Sequence, residues 1–145
     1  MKKLFIATLI VATFVTNAYA EPVKVNRLVV SNFSAEFKDA SQVSWASTSE
    51  YVKASFVSDR QKMEAFYTPS GEKIGTSRGI GIEELPTSAK RAFAKKYGNY
   101  NVKEAILFEG TEESAYFISA ENDAENVIVK IFDDGSISVF KKTKK

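Results

Sequence analysis

Hydrophobic and polar positions along this chain follow two periods, one near 3.6 and one of 2. Residues 21–30, EPVKVNRLVV, open with a proline and a short apolar run. In SNFSAEFKDA, Phe33, Phe37 and Ala40 recur at i, i+4 and i+7, which predicts a short helix with Ser31 or Asn32 as its N-cap. SQVSW then leaves the helix toward a strand. YVKASFV (51–57) and KMEAFYT (62–68) alternate and are rich in β-branched and aromatic residues, so both read as strands around a turn at SDRQ. PSGE is a β-turn signature, with proline where φ is already near −65° and glycine where φ can become positive. KIGTSRGI returns as a third strand, made irregular by Gly75 and Gly79.

LPTSAKRAFAKKYG predicts the clearest helix. Pro86 suits its first turn, Ala89, Phe93 and Tyr97 form an apolar stripe, Lys95 and Lys96 sit near its negative end, and Gly98 stops it. YNVKEAILFEG leads on to SAYFISA (114–120). ENDAEN turns the chain into VIVKIF (127–132), and DDGS turns it into ISVF (137–140).

The two halves match when laid side by side. Phe33, Phe37 and Val43 fall opposite Phe93, Tyr97 and Val102, at offsets of 60, 60 and 59, and Gly71 falls opposite Gly135 at 64. The expectation is therefore an α+β fold: a tandem repeat of one helix plus three antiparallel strands, spanning about 30–80 and 85–142. Its helices pack on one face of an antiparallel sheet, or of two abutting sheets.

Residues 1–20 carry a different pattern. MKK is a positive start, LFIATLIVATFV an apolar core and NAYA a small-residue cleavage site, which predicts a signal peptide cut after Ala20. The expected product is a periplasmic or secreted single domain over 21–145. Loss of Lys2 and Lys3 leaves 18 basic against 18 acidic side chains, so the net charge of +2 becomes zero. With no basic stripe, nucleic acid is not an expected partner.

The chain has no cysteine and no histidine. Without cysteine, neither disulfides nor a lipid anchor are expected, and about 125 residues bury roughly 65–70% of their unfolded surface, enough for an unassisted core. Without histidine, the usual general base and the commonest metal ligand are missing. A non-enzyme without cofactor or metal is expected.

FSAEFKDASQVSW, YVKASF, AFYTPSGEKI, ELPTSAKRAFAKKY and VIVKIFDDGSI together resemble the PepSY-like, β-lactamase-inhibitor-like (BLIP-like) family of small exported bacterial proteins. The resemblance covers about residues 30–142 and departs at FKDA, where the family has a proline after the phenylalanine. It implies a tandem α+β fold whose open sheet face grips a protein partner, and it carries no catalytic residues.

Motifs that advertise other chemistry read as turns. Ser70-x-x-Lys73 needs a helix to act as a serine–lysine pair, and proline and glycine place it in a hairpin. Gly79-x-Gly81 lacks a third glycine, and Glu83 and Glu84 follow where a phosphate would approach. Asp123, Glu125, Asp133 and Asp134 form no calcium loop. The lysines of KKTKK (141–145) suit an edge strand.

Alternation assigns the candidate interface. Val127, Val129 and Ile131 share a face, leaving Ile128, Lys130 and Phe132 on the other. Matching Gly71 to Gly135 sets Met63, Ala65 and Tyr67 with the first group and Lys62, Glu64 and Phe66 with the second, which Phe140 joins. Helices covering the first group leave Lys62, Phe66, Lys130, Phe132 and Phe140 as a candidate partner-binding surface of mixed aromatic and charged character. The alternative is that these rings are buried under the N-terminal segment, Trp45 or a second copy. The leading expectation is an exported protein-binding or inhibitor-like module acting on a protein of the cell envelope. The second is a carrier or sensor of a small ligand held between sheet and helices, and the third a hydrolase using Ser70 and Lys73.

Overall fold

A computed structural model describes residues 23–145; the segment expected to be a signal peptide, 1–20, lies outside the described residues. Helix α1 (Arg27–Glu36) is followed by strands β1 (Ser41–Ser47), β2 (Val52–Ser58), β3 (Gln61–Tyr67) and β4 (Lys73–Ile80). A 3-10 turn at Ile82–Glu84 leads to helix α2 (Thr87–Tyr97). Strands β5 (Asn101–Gly110), β6 (Ser114–Glu121), β7 (Glu125–Ile131) and β8 (Ile137–Lys144) complete the chain. All eight strands form one antiparallel sheet in sequence order.

This overturns the expected α+β tandem repeat of helix plus three strands. Four strands follow each helix, and β4 pairs with β5 from Gly75 opposite Gly110 to Ile80 opposite Ala105, so the sheet is continuous. Two strands escaped the alternation pattern for different reasons. β1 is an edge strand with almost every residue exposed, so its serines and Gln42 show no buried face. β5 is central and apolar on both faces over Ala105–Phe108, so it reads as a run rather than an alternation. The local matches between the halves do hold as geometry: Gly71 and Gly135 both have positive φ, 107° and 87°. They do not extend to three-strand units.

The first helix begins earlier than its apolar spacing predicts. Asn26, not Ser31 or Asn32, caps it, with its side-chain oxygen accepting from the Leu28 N–H at 2.9 Å. The valines of RLVV disfavour helix on propensity, but Val29 is fully buried against the sheet and that packing decides. Asn32 instead holds the β3–β4 turn, donating to the Gly71 carbonyl at 2.9 Å.

Both helices cover the same face. α1 seats Val29 and Phe33 on Val52, Ala54, Phe56, Ala65 and Tyr67. α2 seats Ala89 and Phe93, with Leu85, on Ala105, Ile118, Ala120 and the valines of β7. Small residues in the strands, Ala54, Ala65, Ala105 and Ala120, let the helices approach closely. Under α1 an edge-on aromatic pair completes the contact, Phe33 lying 4.9 Å from Phe56, while on α2 Phe93 stacks at 5.6 Å on Tyr97 of the same helix.

Candidate functional site

Strand register assigns every side chain on the sheet to the helix-covered face or to the open one. Phe66 pairs with Lys53 and Gly75, opposite in sense to Ala65 and Tyr67, which lie under α1. Gly75 pairs with Gly110, and Phe108 and Ile106 follow on the same side of β5, opposite Ala115 and Phe117. Phe117 in turn faces Lys130. Phe66, Ile106, Phe108, Ala115 and Phe117 thus form a second apolar cluster on the open face, edged by Tyr51, Ile74, Ile128, Phe132 and Phe140.

Two glycines explain how large rings fit in this sheet. A Cβ on Gly75 would stand 2.7 Å from the Phe108 ring and 2.7 Å from the Glu109 carbonyl oxygen, and one on Gly110 would stand 2.7 Å from the same ring. Phe108 therefore lies across both glycines. The irregularity that Gly75 introduces into β4 is the space this ring needs. A bulge between β7 and β8 at Ile128 and Val129 supplies the extra residue, Phe140, whose ring meets Phe117 edge-on at 5.5 Å.

The five residues of the predicted interface fare differently. Phe66 is 0% exposed, closed over by Tyr51 at 6.1 Å and Phe108 at 6.2 Å. Neighbouring rings do this, rather than the N-terminal segment or Trp45, which packs on Phe33 beneath α1. Phe132 and Phe140 are half-buried at the margin of the cluster. Lys130 is 16% exposed, pairs with Glu113 at 2.6 Å and stands 4.7 Å over the Phe132 ring, so it is a fixed part of the surface. Lys62 is exposed on β3, two residues from Glu64.

A cavity of about 340 Å³ opens on the β1–β4 half of this face. Its polar lining combines one cross-strand row, in which Ser44 faces Ser55, Ser55 faces Glu64 and Glu64 faces Ser77, with Gln42, Lys62 and Arg78. Glu104 and Ile106 of β5 close one side, and Gly79 leaves the space open, since a Cβ there would meet nothing within 4 Å. Glu64 Oε1 accepts from Lys53 Nζ at 3.2 Å and from Ser55 Oγ at 3.4 Å. Glu64 Oε2 is buried and has no hydrogen-bond partner. Burial, and secondarily the charge of Glu64, push the Glu104 carboxyl above its ordinary range. Alternation sets Glu64 beside Lys62 and Phe66, but the serines join it only through the register of four strands, which no local pattern announces.

The remaining motifs are structural. Lys73 Nζ is bound to Glu36, and Ser70 Oγ lies 2.9 Å from Thr68 Oγ1, so the two do not form a pair. The turn at Gly79-x-Gly81 is filled by the chain's own carboxylate: Glu84 accepts from the Gly81 N–H at 3.0 Å and from Arg78 at 3.2 Å. Those bonds, the Gly81 one foremost, hold its carboxyl below the ordinary range. Asp134 accepts from the Ser136 N–H at 2.8 Å as a turn residue does, and Glu125 pairs with Lys142 at 2.9 Å. Among the described residues no group of three or more acidic side chains is placed to hold a metal ion. No helix among them is long and apolar enough to cross a membrane.

Comparison with solved structures places this architecture. A BLIP-like protein from Bacteroides fragilis superposes with a TM-score of 0.71 at 15% identity, covering 84% of this chain and 87% of its own. The fold is BLIP-like. A DUF2874 family protein from Bacteroides ovatus gives 0.73 at 17% identity, covering 84% and 89%. A protein from Bacteroides eggerthii, described as a candidate periplasmic protein, gives 0.74 at 16%, covering 84% and 90%. The PepSY side of the expected resemblance finds no support among them. Neither a family profile nor a curated protein sequence matches the chain.

Proposed function

We propose that the chain is an exported, non-enzymatic binding module whose open sheet face engages a protein of the cell envelope. The observation that carries this reading is the second apolar cluster. Phe132 and Phe140 stand half-buried on a sheet face that no helix of the described residues covers, ringed by Lys130, Glu113 and Lys53. An apolar centre with large aromatics and a charged border is the composition of protein-binding surfaces. The BLIP-like name of one neighbour agrees with an inhibitor-like use, and the signal-like start of the sequence with export.

Phe66, fully buried, supports this face from beneath rather than touching a partner. The contact set is therefore Phe132, Phe140, Lys130 and, at the N-terminal end, Lys62. The small-ligand carrier expects space between sheet and helices, whereas the 340 Å³ cavity lies on the opposite face. The test is affinity capture from the native cell envelope by the mature domain, with bound proteins identified by mass spectrometry. A Phe132→Ala/Phe140→Ala variant that keeps its circular dichroism spectrum should lose the captured protein. Equal capture by that variant would remove the open face from the contact.

A further inference from the structure

The two edges of the sheet differ in charge. β8 carries Lys141, Lys142 and Lys144, and lysines on an edge strand discourage pairing with another chain. β1 has neither lysine nor proline, and no charged residue lies between Asp39 and Glu50. It is exposed along nearly its whole length, and no strand among the described residues pairs with its outer side.

The β1–β2 ladder fixes which backbone groups of β1 are left over. Thr48 donates its N–H to the Tyr51 carbonyl at 2.8 Å, and bonded residues alternate along an antiparallel pair. Ala46 and Ser44 therefore bond to their register partners Lys53 and Ser55, while Trp45 and Ser47 turn N–H and C=O outward. Outward groups in a regular strand are a template for a further strand. The irregularity at Gln42, whose φ is 52°, bounds the regular stretch on one side and the turn after Thr48 on the other. Ala46 stands at its centre.

From this geometry we infer that β1 pairs antiparallel with β1 of a second copy of the chain, the two-fold axis passing beside Ala46. Trp45 then faces Ser47 of the second copy and exchanges both backbone hydrogen bonds with it, and Ser44 faces Thr48. Such an axis sets like strand against like. An uncharged strand tolerates that, whereas β8 would set lysine among lysines, so assembly closes at two. A strand of another protein would find no charged side chain on β1 to select it. The Trp45 ring supplies the apolar contact: it is half-buried on the helix side, 5.2 Å from Phe33, and lies diagonal to its own counterpart across the axis. An axis between antiparallel strands stands perpendicular to the sheet. The helices of both copies thus share one side, and the open faces join on the other across Ser44 and Ala46. This pairing is independent of what the open face binds.

Sedimentation equilibrium of the mature chain from about 1 μM to about 1 mM, the range of weak to moderate self-association, tests this. The mass should rise toward twice that of the monomer. Trp45, the only tryptophan, should shift its emission to the blue over the same range. Ser47→Pro removes an outward N–H that β2 does not use and should weaken the dimer about tenfold or more, since each dimer loses two hydrogen bonds. Ser47→Lys, which gives β1 the kind of charge that β8 carries, should do the same. Both variants should keep the urea midpoint of the dilute monomer, which guards against loss of fold. The natural chain has no cysteine, so Ala46→Cys introduces a single one. It should form a disulfide-linked dimer under mild oxidation far faster than Lys141→Cys on β8. A chain still monomeric at about 1 mM, a dimer indifferent to both Ser47 changes, or equal cross-linking from positions 46 and 141 would each overturn the inference. A monomer whose Trp45 emission shifts only when cell-envelope extract is added would assign the edge to another protein and overturn the second copy.

Discussion

The two halves of the open face are laid on one continuous ladder yet carry opposite chemistry. The row that begins with Ser44, Ser55, Glu64 and Ser77 on β1–β4 continues as Phe108 and Ala115 on β5 and β6. On the helix side the halves are alike, each burying one phenylalanine, Phe33 or Phe93, against small strand residues. Where a helix must seat, the sheet is constrained to apolar and small side chains. Where no helix sits, each half is free to acquire its own surface. The difference therefore separates what holds the fold from what is available for binding. Phe66 is the exception that joins them, a core residue on the open face.

That exception supplies the test with the largest expected effect. Phe66→Ala should cost about 3–5 kcal/mol in urea unfolding, as truncation of a fully buried ring does. Phe132→Ala, at the margin, should cost about 1 kcal/mol, mostly its contact with Lys130. Equal costs would erase the distinction between support and surface. Next in size are the two glycines of β4. Gly75→Ala should lose about 1–3 kcal/mol, because its Cβ would collide with Phe108 and the Glu109 carbonyl. Gly79→Ala should stay within about 0.5 kcal/mol, since its Cβ enters open space. A destabilised Gly79→Ala would mean that the cavity is not the space described.

The smallest effect belongs to Glu104. Its folded carboxyl titrates above the ordinary value of 4.5, so the folded chain binds more protons than the unfolded one as pH rises past that value. Its ionisation therefore removes stability as pH climbs from the ordinary carboxylate range through the raised one. Glu104→Gln should raise the urea midpoint slightly at pH 7 and leave it unchanged near about pH 3, where the carboxyl is protonated in both states. Glu64, Lys53 and Lys62 share this half of the face. Unfolding curves at the two pH values check the sign, and a lower midpoint at pH 7 would show Glu104 to be stabilising instead.

Much of the arrangement was legible in residue order. Alternation in KMEAFY and VIVKIF separates Ala65 and Val129 from Phe66 and Lys130, and the register keeps that separation. The turn glycines and α2 were equally plain, because φ preference and helix-stop chemistry act within a few residues. The strand count was not legible. β1 is polar and exposed, and β5 is apolar on both sides, so neither shows the alternation that marks a half-buried strand. The start of α1 was missed because the propensity of its valines argues against the packing that holds them.

Residue order by itself determined the turns, the second helix, the absence of disulfide and histidine chemistry, and which strand residues share a side, since all of these depend on single residues or on a period of two. Tertiary structure alone decided that eight strands make one sheet, that Phe66 is core, and that Ser44, Ser55, Glu64, Ser77 and Glu104 surround one cavity. Those outcomes depend on register between strands distant in sequence. A one-residue shift would turn each of them to the other face.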